Sequence, residues 1–357
     1  MGSVDRIPSG RYRARWWDEG RQRSRSFLRR RDALAHLADI ERAKRDGTWV
    51  PESSRSVTFG AYSVESLQRQ PWRDSARHVG RNAVGPDSRA HRRFSDVPLI
   101  ELRKADMEAF LAGLRDELAP GTVHLVHQHL HAMLETAHED GILSRNPAAR
   151  MRLPALERCQ VVPLSRAQVE RLLDVAHPWF RVAIILGAGL GLRQAEASGL
   201  TRDRIDFGGE VVRVDRQYVS RGSEPGRWAP PKSSSAYRSI PASRWILAEL
   251  ERHLEGVPVG GYVLHRDHEP VGHISFAQAW RFARKAAGLD ASVRFHDLRH
   301  AFASALISAG CSVRAVQHAL GHASASTTLS TYSHLWPGDE DRLRGAIDAA
   351  FGQGATE

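Results

Sequence analysis

The 357-residue chain is poor in cysteine, with only Cys159 and Cys311, and poor in lysine, with only Lys44, Lys104, Lys232 and Lys285. Two cysteines allow one disulfide at most. That excludes a disulfide-stapled scaffold and a cysteine-only zinc site, and the pair reads as ordinary thiols of a reducing compartment. Long apolar runs are missing as well. The longest, Val182 to Leu192, is interrupted by glycines and falls far short of the ~20 residues of a membrane span. No basic start leads into an apolar stretch, so secretion is not expected. The sequence also offers no internal repeat, no low-complexity tract and no clustered-carboxylate motif of the kind a two-metal nuclease uses.

What the chain does have is positive charge. Fifty-one Lys and Arg stand against 41 Asp and Glu, a net of +10 with a pI near 10.2, which suits a polyanionic partner. Residues 1–50 hold thirteen basic and seven acidic side chains, a concentrated share of the excess. Nearly all of the basic residues are arginine, so a lysine that persists against the bias draws attention. At 41% hydrophobic and 26% charged residues the composition is that of a globular chain, and the length predicts two or three domains.

Patterning divides the chain into three parts: residues 1–55, 56–153 and 154–357. In the first, Tyr12–Trp17 and Arg21–Phe27 read as strands joined at the turn signal Asp18-Glu19-Gly20, followed by a helix over Asp32–Lys44 with the stripe Ala33, Leu34, Leu37 and Ile40. Arg11, Arg13 and Arg15 alternate along one strand, and Arg21, Arg23 and Arg25 along the other. A period of two puts each series on a single face, and six arginines without an interleaved acid favour phosphate contact over a merely solvated surface. The second part reads as all-helical, with helices over Leu99–Leu118 and Gly121–Asp140. His124, His127 and His131 share a helical face there, but no further ligand completes a metal site, and a DNA-facing or exposed surface is the better reading. The third part is mixed and mainly helical. Ser165 caps a helix to Ala176, Val211–Val214 is a strand, Ser239-Ile240-Pro241 ends another, and helices resume near Trp245. A last amphipathic piece, Asp341–Phe351, carries Leu343, Ile347, Ala350 and Phe351, either as core or as a docking device for a neighbouring subunit. The predicted fold class is therefore multidomain: a small α+β domain, an all-α domain, and a mainly α domain with a small β-sheet.

Three strings in the third part carry chemistry. GLGLRQAEASGL, Gly189–Leu200, puts Arg193 after a glycine turn with Glu196 one helical turn on. HDLRHAFAS, His296–Ser304, puts His296, Arg299 and His300 on one helix face. LGHASASTTLSTYSHL, Leu320–Leu335, holds His322 and, ten residues later, Tyr332. Between the first two lie Pro231-Lys232-Ser233 and Arg238-Ser239-Ile240-Pro241. Taken singly, each residue has an ordinary structural explanation, such as a cap, a core histidine or a packed ring.

In order, spacing and wording together, these strings resemble the tyrosine recombinase (phage integrase) family, whose pattern runs Arg, Lys, His-x-x-Arg, His or Trp, and Tyr. The resemblance is specific over the third part. Less specifically it extends to an N-terminal arm-binding domain at 1–55 and a helical core-binding domain at 56–153. It implies a catalytic set of Arg193, Lys232, His296, Arg299, His322 and the nucleophile Tyr332, with Glu196 and His300 in support. Two guanidiniums can clamp the charge that develops on an attacked phosphodiester, and Arg193 and Arg299 are the candidates. By the resemblance Lys232 is the general acid for the leaving 5′-oxygen. His296 would handle the proton of a phenol that is a poor nucleophile at its free pKa near 10, and His322 would bond the phosphate. The implied reaction is a metal-, ATP- and cofactor-independent strand exchange through a 3′-phosphotyrosyl bond. The implied partners are double-stranded attachment sites, a homotetramer on DNA and a directionality factor, in the cytoplasm at the nucleoid. A type IB topoisomerase shares the chemistry but acts alone on supercoils, and a non-catalytic DNA-binding relative would form no covalent adduct.

Overall fold

The computed structural model describes residues 2–72, 74–156, 160–221, 224–231, 233–336 and 340–351. Lys232 and Cys159 lie outside the described residues. The chain forms two compact units, residues 1–158 and 159–357.

The first unit opens with an antiparallel meander of β1 (Ser3–Arg6), β2 (Tyr12–Asp18) and β3 (Arg21–Phe27). Glu19 and Gly20 both take positive φ, 46° and 74°, the geometry of a two-residue hairpin turn that continues the strands' twist. Strand β1 is an addition to the patterning, because four mostly polar residues carry no alternation to read. The helix α1 (Arg30–Arg45) covers one sheet face, with Ala33 and Leu37 against Val4, Ala14, Trp16 and Phe27. Leu34, expected in that stripe, is instead 45% exposed.

Five helices follow: α2 (Phe59–Arg69), α3 (Asp74–Val84), α4 (Arg89–Phe94), α5 (Lys104–Arg115) and α6 (Pro120–Glu139). They bury Phe59, Tyr62, Phe94, Leu99, Met107, Leu130 and Leu134 in a common core. The single helix expected from Leu99 is broken into a 3-10 turn, Leu99–Glu101, and α5. The break falls where the Asp106 carboxylate accepts the Arg103 backbone N–H at 2.9 Å and caps a new helix. The histidines of α6 correct another expectation. His124 Nε2 donates to the Pro154 carbonyl at 2.7 Å and His127 Nε2 to that of Ala148 at 3.0 Å. They fasten the 148–154 stretch to α6 rather than facing outward, and no metal-holding cluster exists among the described residues.

The second unit is built around α8 (Pro178–Leu190), whose Phe180, Val182, Ala183, Ile184, Leu186 and Leu190 are all buried. Around it stand α7 (Arg166–Val175), α9 (Gln194–Gly199), α10 (Arg244–His253), α11 (His273–Ala286) and α12 (His296–Ser308). A sheet of β4 (Ile205–Asp206), β5 (Val211–Val214) and β8 (Arg238–Pro241) pairs in that order, beside a hairpin of β6 (Gln217–Arg221) and β7 (Glu224–Ala229). A second short hairpin joins β9 (His265–Arg266) to β10 (Glu269–Pro270). The chain then runs through α13 (Val313–Leu320) and α14 (Ala325–Tyr332) to α15 (Glu340–Phe351), on which Leu343, Ile347 and Phe351 are exposed. The architecture is the one the patterning predicts: a small α+β part, a helical part, and a mainly α part with small sheets. No helix among the described residues is long and apolar enough to cross a membrane.

Candidate active site

Two glycines make the site's backbone. Gly191 ends α8 and Gly321 ends α13, both at φ 63°, a left-handed cap that glycine adopts without the penalty a Cβ imposes. Two residues beyond the first cap comes Arg193. One residue beyond the second comes His322.

Arg193 caps α9 and curls onto its own helix. Its backbone N–H donates to Glu196 Oε2 at 3.0 Å, its Nη1 to Glu196 Oε1 at 2.7 Å, and its Nη2 to the Gly321 carbonyl at 3.3 Å. Glu196 is only 3% exposed and is gripped from the other side by Arg238, whose Nη1 and Nη2 reach its two oxygens at 3.2 and 2.9 Å. Burial alone would raise the Glu196 carboxyl, but the Arg238 bonds and the charges of Arg238 and Arg193 hold it at about 2. Arg238 also donates to the carbonyls of Ala319, at 2.8 Å, and Ala236, at 3.0 Å. It therefore ties α9, β8 and the end of α13 together. Sequence reasoning misses this residue.

Arg299 is 1% exposed. Its Nη1 donates to the Gly191 carbonyl at 2.6 Å and its Nη2 to that of Leu320. Both acceptors belong to helix C-termini, where carbonyls lack intrahelical partners and the dipole favours a cation. The two candidate clamp guanidiniums are thus unequally exposed. Arg193, with 36% of its side chain exposed, is the accessible arm, and Arg299 is a buried strut between α8 and α13. Burial, then the charges of Arg193 and Arg238, push the Arg299 guanidinium below its ordinary value.

The remaining groups surround Tyr332, the last residue of α14, which is 1% exposed. Its hydroxyl lies 2.7 Å from His300 Nδ1, and its ring lies parallel to that of His322 with centroids 6.5 Å apart. Burial pushes the phenol up to about 12, against the pull of Arg299 and Arg193. His322 Nδ1 shares a 2.9 Å hydrogen bond with Thr328 Oγ1, which fixes the ring. Burial, then Arg299 and Arg193, push this imidazole down to about 4. His296 opens α12 and stands edge-on to His300 at 5.0 Å. Partial burial, then the charges of His300, Arg299 and Arg193, lower it too. The structure thus brings together Arg193, Glu196, His296, Arg299, His300, His322 and Tyr332. Of these only His300 touches the tyrosine oxygen.

In the first unit the two arginine series fall on opposite faces of the sheet. Arg13 and Arg15 stand across from Ser26 and Ser24, while Arg23 and Arg25 stand across from Trp16 and Ala14 on the side that packs against α1. An acid from the remaining strand of the sheet meets one of the series. Asp5 of β1 accepts from both Arg13 and Arg15 at 3.0 Å. Arg11 reaches the Ser26 carbonyl at 3.4 Å, Arg25 lies over the Phe27 ring, and Arg21 is exposed.

Residues 163–337 match the model of the phage integrase family. A Mycobacterium tuberculosis protein named as a prophage phiRv2 integrase is 27% identical over 360 residues, covering 96% of this chain and 94% of its own length. The fold is shared with the Tn1549 transposon integrase in complex with transposon right-end DNA, at a TM-score of 0.69 and 20% identity over 82% of this chain and 99% of that one. It is shared also with lambda integrase as a tetramer bound to a Holliday junction, at a TM-score of 0.60 and 20% identity over 90% of this chain and 96% of that one.

Proposed function

The chain belongs to the phage integrase family of tyrosine recombinases, DNA-cleaving and rejoining enzymes, and from that premise we propose that it integrates and excises a mobile element through a 3′-phosphotyrosyl bond to Tyr332. The observation that carries this reading is the Tyr332 hydroxyl, set in one pocket with His300, His322, Arg193 and Arg299. A hydroxyl attacking a phosphodiester builds charge on the non-bridging oxygens. Fixed guanidiniums stabilise that charge without reorganising. Arg193 supplies the accessible fork, Arg299 the buried charge behind it, and His322 a ring whose Nε2 edge is left for a phosphate oxygen. Glu196 and Arg238 are positioning residues that hold Arg193. Lys232 is assigned the proton for the departing 5′-oxygen on the strength of the family pattern. The covalent bond conserves the phosphodiester energy, so the partner strand's 5′-hydroxyl can reseal the DNA without ATP.

We assign residues 1–55 to arm-type sites and 56–153 to the core site, with a homotetramer assembled on paired attachment sites and an excision factor setting direction. The experiment uses nicked duplexes tiling the DNA that flanks the coding sequence. Wild-type chain should form a denaturant-resistant protein–DNA adduct on one of them, and Tyr332→Phe should bind that duplex equally well and form none. An adduct with the phenylalanine variant would place the nucleophile elsewhere. Relaxation of a plasmid lacking the adduct-forming sequence, without two-site recombination, would replace the integrase reading with that of a topoisomerase.

A further inference from the structure

A phenol that attacks phosphorus must lose its proton as the new bond forms, because a neutral nucleophile would otherwise leave a cationic oxygen. The Tyr332 oxygen is buried, and the group within reach of its proton is His300, at 2.7 Å with the two rings edge-on. The family pattern gives proton handling to His296. In the structure, however, no hydrogen bond joins His296 to Tyr332 among the described residues. The imidazole of His296 instead stands edge-on to His300.

His300 is faced by His296, Asp297 and Arg299 of its own helix and by Tyr332 of α14. Burial and Arg299 favour its neutral form over the pull of Asp297, and in the Nε2–H tautomer of that form Nδ1 accepts the phenolic O–H. A base already hydrogen-bonded to the nucleophile needs no approach step, and the edge-on His296 ring restricts how His300 can turn. Resting on the reading of Tyr332 as nucleophile, we propose that His300 is the general base of strand cleavage. As the Tyr332 Oη–phosphorus bond forms, the O–H proton passes to His300 Nδ1 and leaves an imidazolium. The phosphorus–O5′ bond breaks and the 5′-oxygen takes its proton from the general acid. On religation the attacking 5′-hydroxyl returns that proton to the acid's conjugate base, and the imidazolium gives its own back to the departing phenolate.

Removing a base differs from removing a prop in its dependence on nucleophile acidity. His300→Asn and His300→Gln keep a polar group near the tyrosine but cannot take up a proton at neutral pH. In single-turnover adduct formation by the full chain on the nicked duplex, each should be slower by roughly 10²–10³-fold at unchanged DNA affinity. Replacing Tyr332 by 2,3-difluorotyrosine, a more acidic phenol, should recover at least about tenfold of that loss in either variant, and none of the loss in His296→Asn. Rates within threefold of wild type for both His300 variants would overturn the proposal. So would a defect equally large with the fluorinated and the natural tyrosine, which would make His300 a positioning contact. If Tyr332→Phe still forms the adduct, it is the parent reading that fails, separately from the base assignment.

Discussion

Glu196 is the carboxylate held between Arg193 and Arg238, and its replacement by glutamine isolates the value of that charge. Its carboxyl sits at about 2 in the fold against an ordinary 4.5. By linkage the lowered value contributes about 3 kcal/mol of stability at neutral pH, at about 1.4 kcal/mol for each tenfold change in proton affinity. The sign follows from the direction of the shift. A carboxyl lowered by folding stabilises above its unfolded value of 4.5 and loses that contribution as pH falls toward about 2. By pH 3 about 2 kcal/mol of it is gone. Because Arg238 has no exposed side-chain surface, solvent cannot replace the missing partner, and breaking such a buried pair costs about 3–5 kcal/mol in general. Glu196→Gln should therefore be about 3 kcal/mol less stable than wild type at pH 7, and the gap should narrow to about 1 kcal/mol at pH 3. Urea titrations at the two pH values measure it, with hydrogen exchange in α9 and α12 reporting specifically on the 159–357 unit. A gap of the same size at both pH values would refute the reasoning, as would a gap below about 1 kcal/mol at pH 7.

Gly191→Ala should lower stability by about 2–4 kcal/mol in the same titrations, because alanine is strained at φ 63° and its methyl would collide with the Phe302 ring. Adduct formation should fall with it, since the Gly191 carbonyl anchors Arg299. Deleting residues 1–55 should preserve adduct formation on a single core site and sharply reduce recombination between full attachment sites, because the arm site no longer raises the effective concentration at the core. Loss of both activities together would make the N-terminal sheet structural. Replacing Arg13, Arg15, Arg23 and Arg25 by Ser should flatten the salt dependence of arm-site binding, by about one in slope for each phosphate left unneutralised. Asp5→Asn, which releases Arg13 and Arg15 from their ion pairs, should steepen it.

Helical spacing made much of this site legible. His296, Arg299 and His300 fall on one face because i, i+3 and i+4 always do, and the glycines before Arg193 and His322 mark the turns that deliver those residues. Spacing says nothing, however, of what stands opposite a face. That the Arg299 guanidinium ends at two helix C-termini, and that His300 meets a tyrosine 32 residues away, depends on how α8, α12, α13 and α14 pack. Arg238 is legible from strand spacing. In β8 it lies two residues from Ile240, so both project to the same sheet face, and an arginine on a core-facing position requires a buried acid. Glu196 is that acid. The Asp5 counter-charge to Arg13 and Arg15 was not legible for a different reason: it comes from a strand too short and polar to announce itself.

The charge count of the pocket explains what it is built to receive. Arg193, Arg238 and Arg299 place three guanidiniums against the one carboxylate of Glu196, and at neutral pH His322, held down near 4, adds no further charge. Among these described side chains two positive charges are left over. A phosphodiester brings one negative charge, and the phosphorane formed when a phenolate oxygen adds to it carries two. Proton transfer to His300 adds an imidazolium as the second negative charge forms, so the total is unchanged, but negative charge gathers on the phosphorane oxygens, where fixed guanidiniums stabilise it more than they do the substrate. The same arithmetic explains Glu196. With the carboxylate removed the pocket would hold three unopposed cations, a buried repulsion that destabilises the fold. One acid held by two arginines, with Arg193 left as the exposed member of the set, leaves an excess of fixed positive charge for the negative charge that develops on the oxygens of five-coordinate phosphorus.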